Sequence, residues 1–493
     1  MSRWARHGLV VAVAASVVAG CVPKPPGGVA RQTDRDIPDS YGRLHDTRNS
    51  GLIQWSDFFE DRHLTALVEM ALQNNQELNI AIQEMVIANA EVMARRGEYW
   101  PKVGFGLGAG VDHPGRFTSQ GRSDEMASLD PTLQSYEFGL YASWELDVWG
   151  RLHKLAKAAS SRYLASIEGR NFMVTRLVAE IASLYYELMA LDQQLVVVSN
   201  NIALQENALK LVRAQFEAGR VTSLGPARFE AELRSMQSSR YEIQQRIIEV
   251  ENQLNFLAGR FPQPIERSSA NFMDLQPPPM GVGVPSELLA NRPDVRQAEL
   301  EMAAAQLDVA AARKAFYPSV GIESVVGYRS FDFTKLVNTP DSLLFRLAGQ
   351  VFAPLLNRQG LKADYFSANS RQMQAVLHYE RAVLNAFVEV SNRVNLIRNL
   401  SDSYDFKRQQ VNQLVQSIEI STQLFNRGRA DYLEVLTTRR ESLEAQRELT
   451  ELKQRQMQGT VMLYQALGGG WRGTGLEPPD GSGQQERTEE ATQ

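Results

Sequence analysis

A ladder of apolar residues at strict seven-residue intervals constrains this chain more than any other feature. Val376, Val383, Val390, Ile397, Tyr404, Val411, Ile418 and Phe425 form one such ladder. A seven-residue repeat keeps one stripe against a partner helix, so these residues read as a coiled-coil seam. The ladder stops at Phe425-Asn426-Arg427-Gly428, a helix end with a glycine, and a second helix starts at Asp431-Tyr432-Leu433-Glu434-Val435-Leu436. Ile167, Val174, Ile181, Leu188, Leu195, Ile202, Leu209 and Phe216 repeat the ladder 209 residues upstream and end in Phe216-Glu217-Ala218-Gly219. Two copies of one very long helical hairpin are therefore expected.

Before each hairpin the period drops to two. Val103, Phe105, Leu107, Ala109 and Val111 alternate with Gly104, Gly106, Gly108 and Gly110. The run is about nine residues long, the length of a transmembrane β-strand. No helix follows it directly, so a phosphate-binding loop is a poor reading. A second strand spans about 135–148, with Tyr136, Phe138, Leu140, Ala142, Trp144 and Leu146 on one face. The segment 112–132 between them reads as a polar loop. Two further strands carry Val320 to Tyr328 and Leu343 to Val351. Helices from about Arg62 to Glu98 and from Asp294 to Ala315 precede the strand pairs, each ending before a proline, Pro101 or Pro318.

The chain thus divides into a first repeat at 61–260, a Pro-rich linker at 261–285, a second repeat at 286–470 and a polar tail at 471–493. Each long helix has roughly 67–70 residues, about 100 Å, and two shorter helices laid end to end match it. An open sheet edge cannot face lipid, because its backbone groups would be unsatisfied. Four strands are too few for a barrel, so several copies must share one: two give eight strands, three give twelve. The fold class is mixed α and β, a duplicated unit of coiled-coil hairpins plus an antiparallel transmembrane barrel completed by oligomerisation.

The N-terminus places the chain in an envelope. Arg3 and Arg6 precede an apolar run, Leu9–Val18, too short to stay as a membrane helix, so 1–20 reads as a signal peptide. Val18-Ala19-Gly20-Cys21 resembles the lipobox of bacterial lipoproteins. That resemblance implies cleavage before Cys21, a diacylglycerol and an N-acyl chain on it, and, with Val22 following, export to the outer membrane. Residues 21–60 form the acylated tether and an irregular segment offering Trp55, Phe58 and Phe59 for packing. Cys21 is the single cysteine, which excludes an intrachain disulfide or a cysteine metal cluster.

The net charge of −5 gives no support for nucleic-acid binding. The six histidines, His7, His45, His63, His113, His153 and His378, are scattered without metal-ligand spacing. No enzyme, metal or cofactor is expected. A lipid-anchored periplasmic scaffold without a pore would explain the ladders and Cys21, but not four alternating segments at matching places.

The ordered motifs carry a family pattern. Trp144-Glu-Leu-Asp-Val-Trp-Gly-Arg151, Pro285-Ser-Glu-Leu-Leu289, Arg292-Pro-Asp294, the Gly428 to Leu436 turn and Leu463-Tyr-Gln-Ala-Leu-Gly-Gly-Gly-Trp471 follow the lipobox. With the duplication, they resemble the outer membrane factor family, TolC-like channels of the lipoprotein branch serving RND-type efflux pumps. The resemblance implies a homotrimer with a twelve-stranded barrel and a periplasmic tunnel. It also implies a periplasmic adaptor and an inner-membrane pump as partners. Carried over, the periplasmic aperture falls on Asp431, Leu433, Glu434, Thr437 and Arg440, and the adaptor-contacting tips on Gly219 and Gly428. The family often has an aspartate where Thr437 stands, so a carboxylate ring is missing here.

Overall fold

The computed structural model describes residues 22–24, 38–41, 48–354 and 357–474. The signal peptide, Cys21, most of the tether and the tail beyond 474 lie outside the described residues. In chain order the main elements are α1 (Arg62–Asn74), α2 (Gln76–Gly97), β1 (Lys102–Asp112), α3 (Ser119–Met126), β2 (Leu133–Leu146), α4 (Arg151–Glu217) and α5 (Leu224–Leu257). The second repeat supplies α6 (Pro293–Lys314), β3 (Ser319–Ser330), β4 (Leu343–Phe352), α7 (Gln359–Asn426) and α8 (Tyr432–Ala466). The long helices α4 and α7 have 67 and 68 residues. Among the described residues, no helix is long and apolar enough to cross a membrane.

Two expectations are corrected. The helix from Arg62 to Glu98 is broken at Asn75. The Asn75 side chain accepts from Leu78 N at 2.9 Å and donates to the Leu257 carbonyl at 2.9 Å, so it caps α2 and ties it to α5. The loop at 112–132 contains α3, started by Thr118, whose hydroxyl accepts from Gly121 N at 3.1 Å. Arg116 and Glu125 clamp it at 2.5 Å.

The chain forms two compact units. One, Val86–Ala165 with Glu299–His378, contains the sheet. Its strands run in the order β1-β2-β3-β4, all antiparallel, so β1 and β4 are its edges. The register aligns the period-two patterns: Phe105 faces Leu140, which faces Val326, which faces Phe345. One side of the sheet is therefore largely apolar, interrupted by Ser324 and, toward one end, by Gln134 and Ser330, and Val103, Phe105, Leu107, Phe345, Leu347 and Val351 are exposed on it. The glycines of β1 serve the opposite side. A Cβ on Gly106 would lie 2.7 Å from the Tyr141 ring, and one on Gly108 would lie 2.8 Å from Glu137 Cγ. Side chains of β2 thus fold over β1.

The other unit, Asp34–Met85 with Ser166–Ala298 and Tyr379–Gln493, is helical. Its core joins Trp55, Phe59, α1, the middle of α4, α5 and Phe272. Tyr464 stacks on Phe58 at 4.0 Å and donates to the Ile53 carbonyl at 2.7 Å. Arg292 of the Arg292-Pro-Asp294 motif is buried, bonded to Asp294, Glu389 and the Ala466 carbonyl. Trp471 is packed on the core, and Arg472 donates to Gly51 O and Asn291 Oδ1, at the start of the segment expected as tail. The end of each hairpin meets an interrupted helix in the same way. A Cβ on Gly259 would lie 2.4 Å from Asn74 O, and one on Gly468 would lie 2.4 Å from Asn291 O.

Candidate functional site

The two hairpin turns are built alike. Gly219 has φ +69°, and Gly219 N and Arg220 N donate to Phe216 O and Gln215 O, both at 2.9 Å. Gly428 also has φ +69°, and Gly428 N and Arg429 N donate to Phe425 O at 3.0 Å and Leu424 O at 2.9 Å. These paired bonds satisfy the last carbonyls of α4 and α7 and need a left-handed residue, which glycine supplies without a Cβ penalty. Nothing lies within 4 Å of a Cβ at either glycine, so the backbone angle alone sets the choice.

Past Gly428 the chain enters α8. Asp431 stands at its N-cap with extended backbone, and its side chain makes no capping bond. Asp431, Leu433, Glu434, Thr437 and Thr438 line a groove of about 580 Å³ with Ser417, Ile420, Ser421 and Leu424 from α7. The structure therefore brings four of the five expected aperture residues to one groove. Arg440 is exposed and lies outside that lining. Val435, one residue past Glu434, is buried and holds this turn of α8 in place. The groove mixes carboxylates, hydroxyls and aliphatic side chains. It can contact solutes or a partner helix, and it offers no nucleophile activated by a base. Among the described residues, no group of His, Cys, Asp and Glu could hold a metal ion.

Arg439 is a residue the sequence did not reveal. Its Nη1 donates to the Leu204 carbonyl of α4 at 3.1 Å, joining the second hairpin to the first. Its Nε is buried without a partner. Burial pulls its pKa below the ordinary arginine value, so the charge is held there at a cost. The adjacent Arg440 carries the same sequence signal, and only the placement of α4 distinguishes them.

An outward apolar sheet face with two open edges and a duplicated pair of long hairpins define an envelope channel protomer. The chain belongs to the outer membrane efflux protein family, whose model matches residues 67–260 and 284–469. The pyoverdine export outer membrane protein OpmQ of Pseudomonas putida is 29% identical over 470 residues, covering 95% of this chain and 98% of that protein. The probable outer membrane lipoprotein SilC of Salmonella typhimurium is 26% identical over 466 residues, covering 92% and 97%. A solved structure of CusC, a protein named in Escherichia coli as a cation efflux system protein, superposes with TM-score 0.79 at 25% identity, covering 90% of this chain and 100% of that one. The four-stranded sheet is one protomer's share of a trimeric barrel, and the chain is the outer-membrane channel component of an efflux system.

Proposed function

We propose that the trimer is a passive exit duct: the inner-membrane RND-type pump supplies the energy, a periplasmic adaptor docks at the turns around Gly219 and Gly428, and the duct does no chemistry. The observation that carries this reading is the sheet, largely apolar on one side and open at both β1 and β4, because such a sheet is stable in lipid only when closed by further copies. The groove of Asp431, Leu433, Glu434 and Thr437 lines the periplasmic aperture. Cys21 carries the acyl chains, in keeping with the lipoprotein name of SilC. The cargoes named for relatives differ, pyoverdine for OpmQ and cations for CusC, which fits a duct whose cargo is chosen by the pump.

The test is conductance of purified trimer in planar bilayers. Glu434→Ala should change conductance, and Arg440→Ala should change it less, because Arg440 lies outside the groove. A folded trimer that stays silent, aperture variants included, would sink the duct. Cys21→Ser should abolish acyl labelling; retained label would refute the anchor.

A further inference from the structure

The side of the sheet opposite its apolar face carries the charged residues of the four strands, and the register sets them in rows. Nearest the strand ends that adjoin α4, Glu145 faces Gly321 and then Gln350, and Arg151 neutralises Glu145 at 2.9 Å. The next row is Lys102, Ser143, Glu323 and Ala348, one charge of each sign. The row after it is Gly104, Tyr141, Val325 and Arg346, with one cation and no anion. Gly106, Gly139, Gly327 and Leu344 follow, without charge. Beyond them Glu137 faces Arg329, and their side chains approach to 3.8 Å, with Asp112 at 3.9 Å from the same guanidinium.

Arg346 is therefore the one charge of its row with no opposite charge in that row, while Arg329 further along stands against two carboxylates, Glu137 and Asp112. It is exposed, and among the described residues it has no hydrogen bond, ion pair or ring contact. It stands on the edge strand β4, and the edge that a second copy offers for pairing is β1. The inward positions of β1 are Lys102, four glycines and Asp112, and the side chains of Tyr141 and Glu137 from β2 fold over Gly106 and Gly108.

We infer that Arg346 sets the charge preference of the barrel: one guanidinium from each protomer forms a belt that favours anionic solutes bearing carboxylate, sulfonate or phosphate groups. The inference rests on the trimeric duct proposed above. Twelve strands about 4.8 Å apart and tilted about 40° enclose a backbone radius of only about 12 Å. An extended arginine reaches well into that radius. A solute on the axis then lies within about one Debye length, about 8 Å at physiological salt, of all three charges. A ring of one sign concentrates counter-ions at its own level in such a space.

The test is the reversal potential of purified trimer in planar bilayers under a potassium chloride gradient. Arg346→Glu should lower the chloride-to-potassium permeability ratio by about 2-fold or more, Arg346→Gln by less, and Arg346→Lys should preserve it. Arg346 is exposed, and the neutral and charge-keeping variants guard against a folding defect in the charge reversal. Conducting Glu and Gln variants with the wild-type reversal potential would overturn the inference and leave the duct intact. Silence from every folded variant would overturn the duct and this inference with it.

Discussion

The two hairpins share a ladder and a turn, yet they sit in different surroundings. In the first, Thr175, Ala179 and Leu188 of α4 are buried. Their counterparts 209 residues on are Leu384, Val388 and Ile397, of which the first two are exposed and the third half-buried. The reason is a mantle. Trp55, Phe59, α1 and Phe272 cover α4 and α5 and reach only the last turns of α8, at Met457, Val461 and Tyr464, while further along α7 and α8 hold a small cluster of Val411, Ala445 and Leu449. The duplication thus copied a backbone, and the mantle wraps the first copy more fully than the second. The second copy leaves Leu384 and Val388 exposed, and it carries the groove of Asp431, Leu433, Glu434 and Thr437.

The sharpest way to break this comparison is to cut equivalent rungs. Leu188→Ala should cost about 2–5 kcal/mol in thermal or denaturant unfolding, and Ile397→Ala no more than about half of that, because a half-buried side chain leaves a smaller cavity. Equal losses would dissolve the distinction. Next is Arg439, whose counterpart Glu230 pairs with Arg213 inside its own hairpin at 2.8 Å, whereas Arg439 reaches across to Leu204. Arg439→Ala removes a charged-donor bond worth about 1.5–3 kcal/mol and should raise open probability in bilayers, while Glu230→Ala should leave it unchanged.

Lys453 is 2% exposed over the Tyr404 ring at 5.1 Å, where its counterpart Gln244 is exposed. Burial pulls its pKa below the ordinary lysine value; Asp274 opposes this shift and Arg408 adds to it. Its folded pKa is depressed, so the charged form penalises the fold in full below that pKa. The penalty fades as pH rises toward the unfolded value near about 10.4. Lys453→Met should therefore stabilise by about 1–2 kcal/mol at neutral pH and flatten the alkaline rise in melting temperature. The smallest effects are at the turns. Gly219→Ala and Gly428→Ala should each cost about 1 kcal/mol, and by equal amounts, since their angles and bonds match. Unequal costs would show that the two tips are not alike.

The seams, turns and strands were legible because each is a periodic or local signal. Val390 and Val411 are buried where the seven-residue count places them, and Phe105 and Phe345 lie in one row on the same side of the sheet where the two-residue count places them. The break at Asn75 escaped because a side-chain cap ends one helix and starts the next without disturbing the apolar spacing. α3 escaped because it is polar, held by Thr118 and the Arg116–Glu125 pair. At the site, Asp431, Leu433, Glu434 and Thr437 came only with the family resemblance, and the structure gathers these four in one groove because they share one helix start. Arg439 was not legible, because its partner is a carbonyl 235 residues away in the chain.

The close fit of Gly468 against the Asn291 carbonyl has a mechanical consequence. It is a fulcrum without slack, and α8 is the lever: 35 residues, about 52 Å at about 1.5 Å per residue. A lean of about 5° at that fulcrum would carry the Gly428 end through about 4–5 Å, by the same rise per residue. A displacement of that size at the Gly428 end then asks for no unfolding and little repacking near Asn291. Any added bulk at Gly468 acts on the far end with the full gain of that arm.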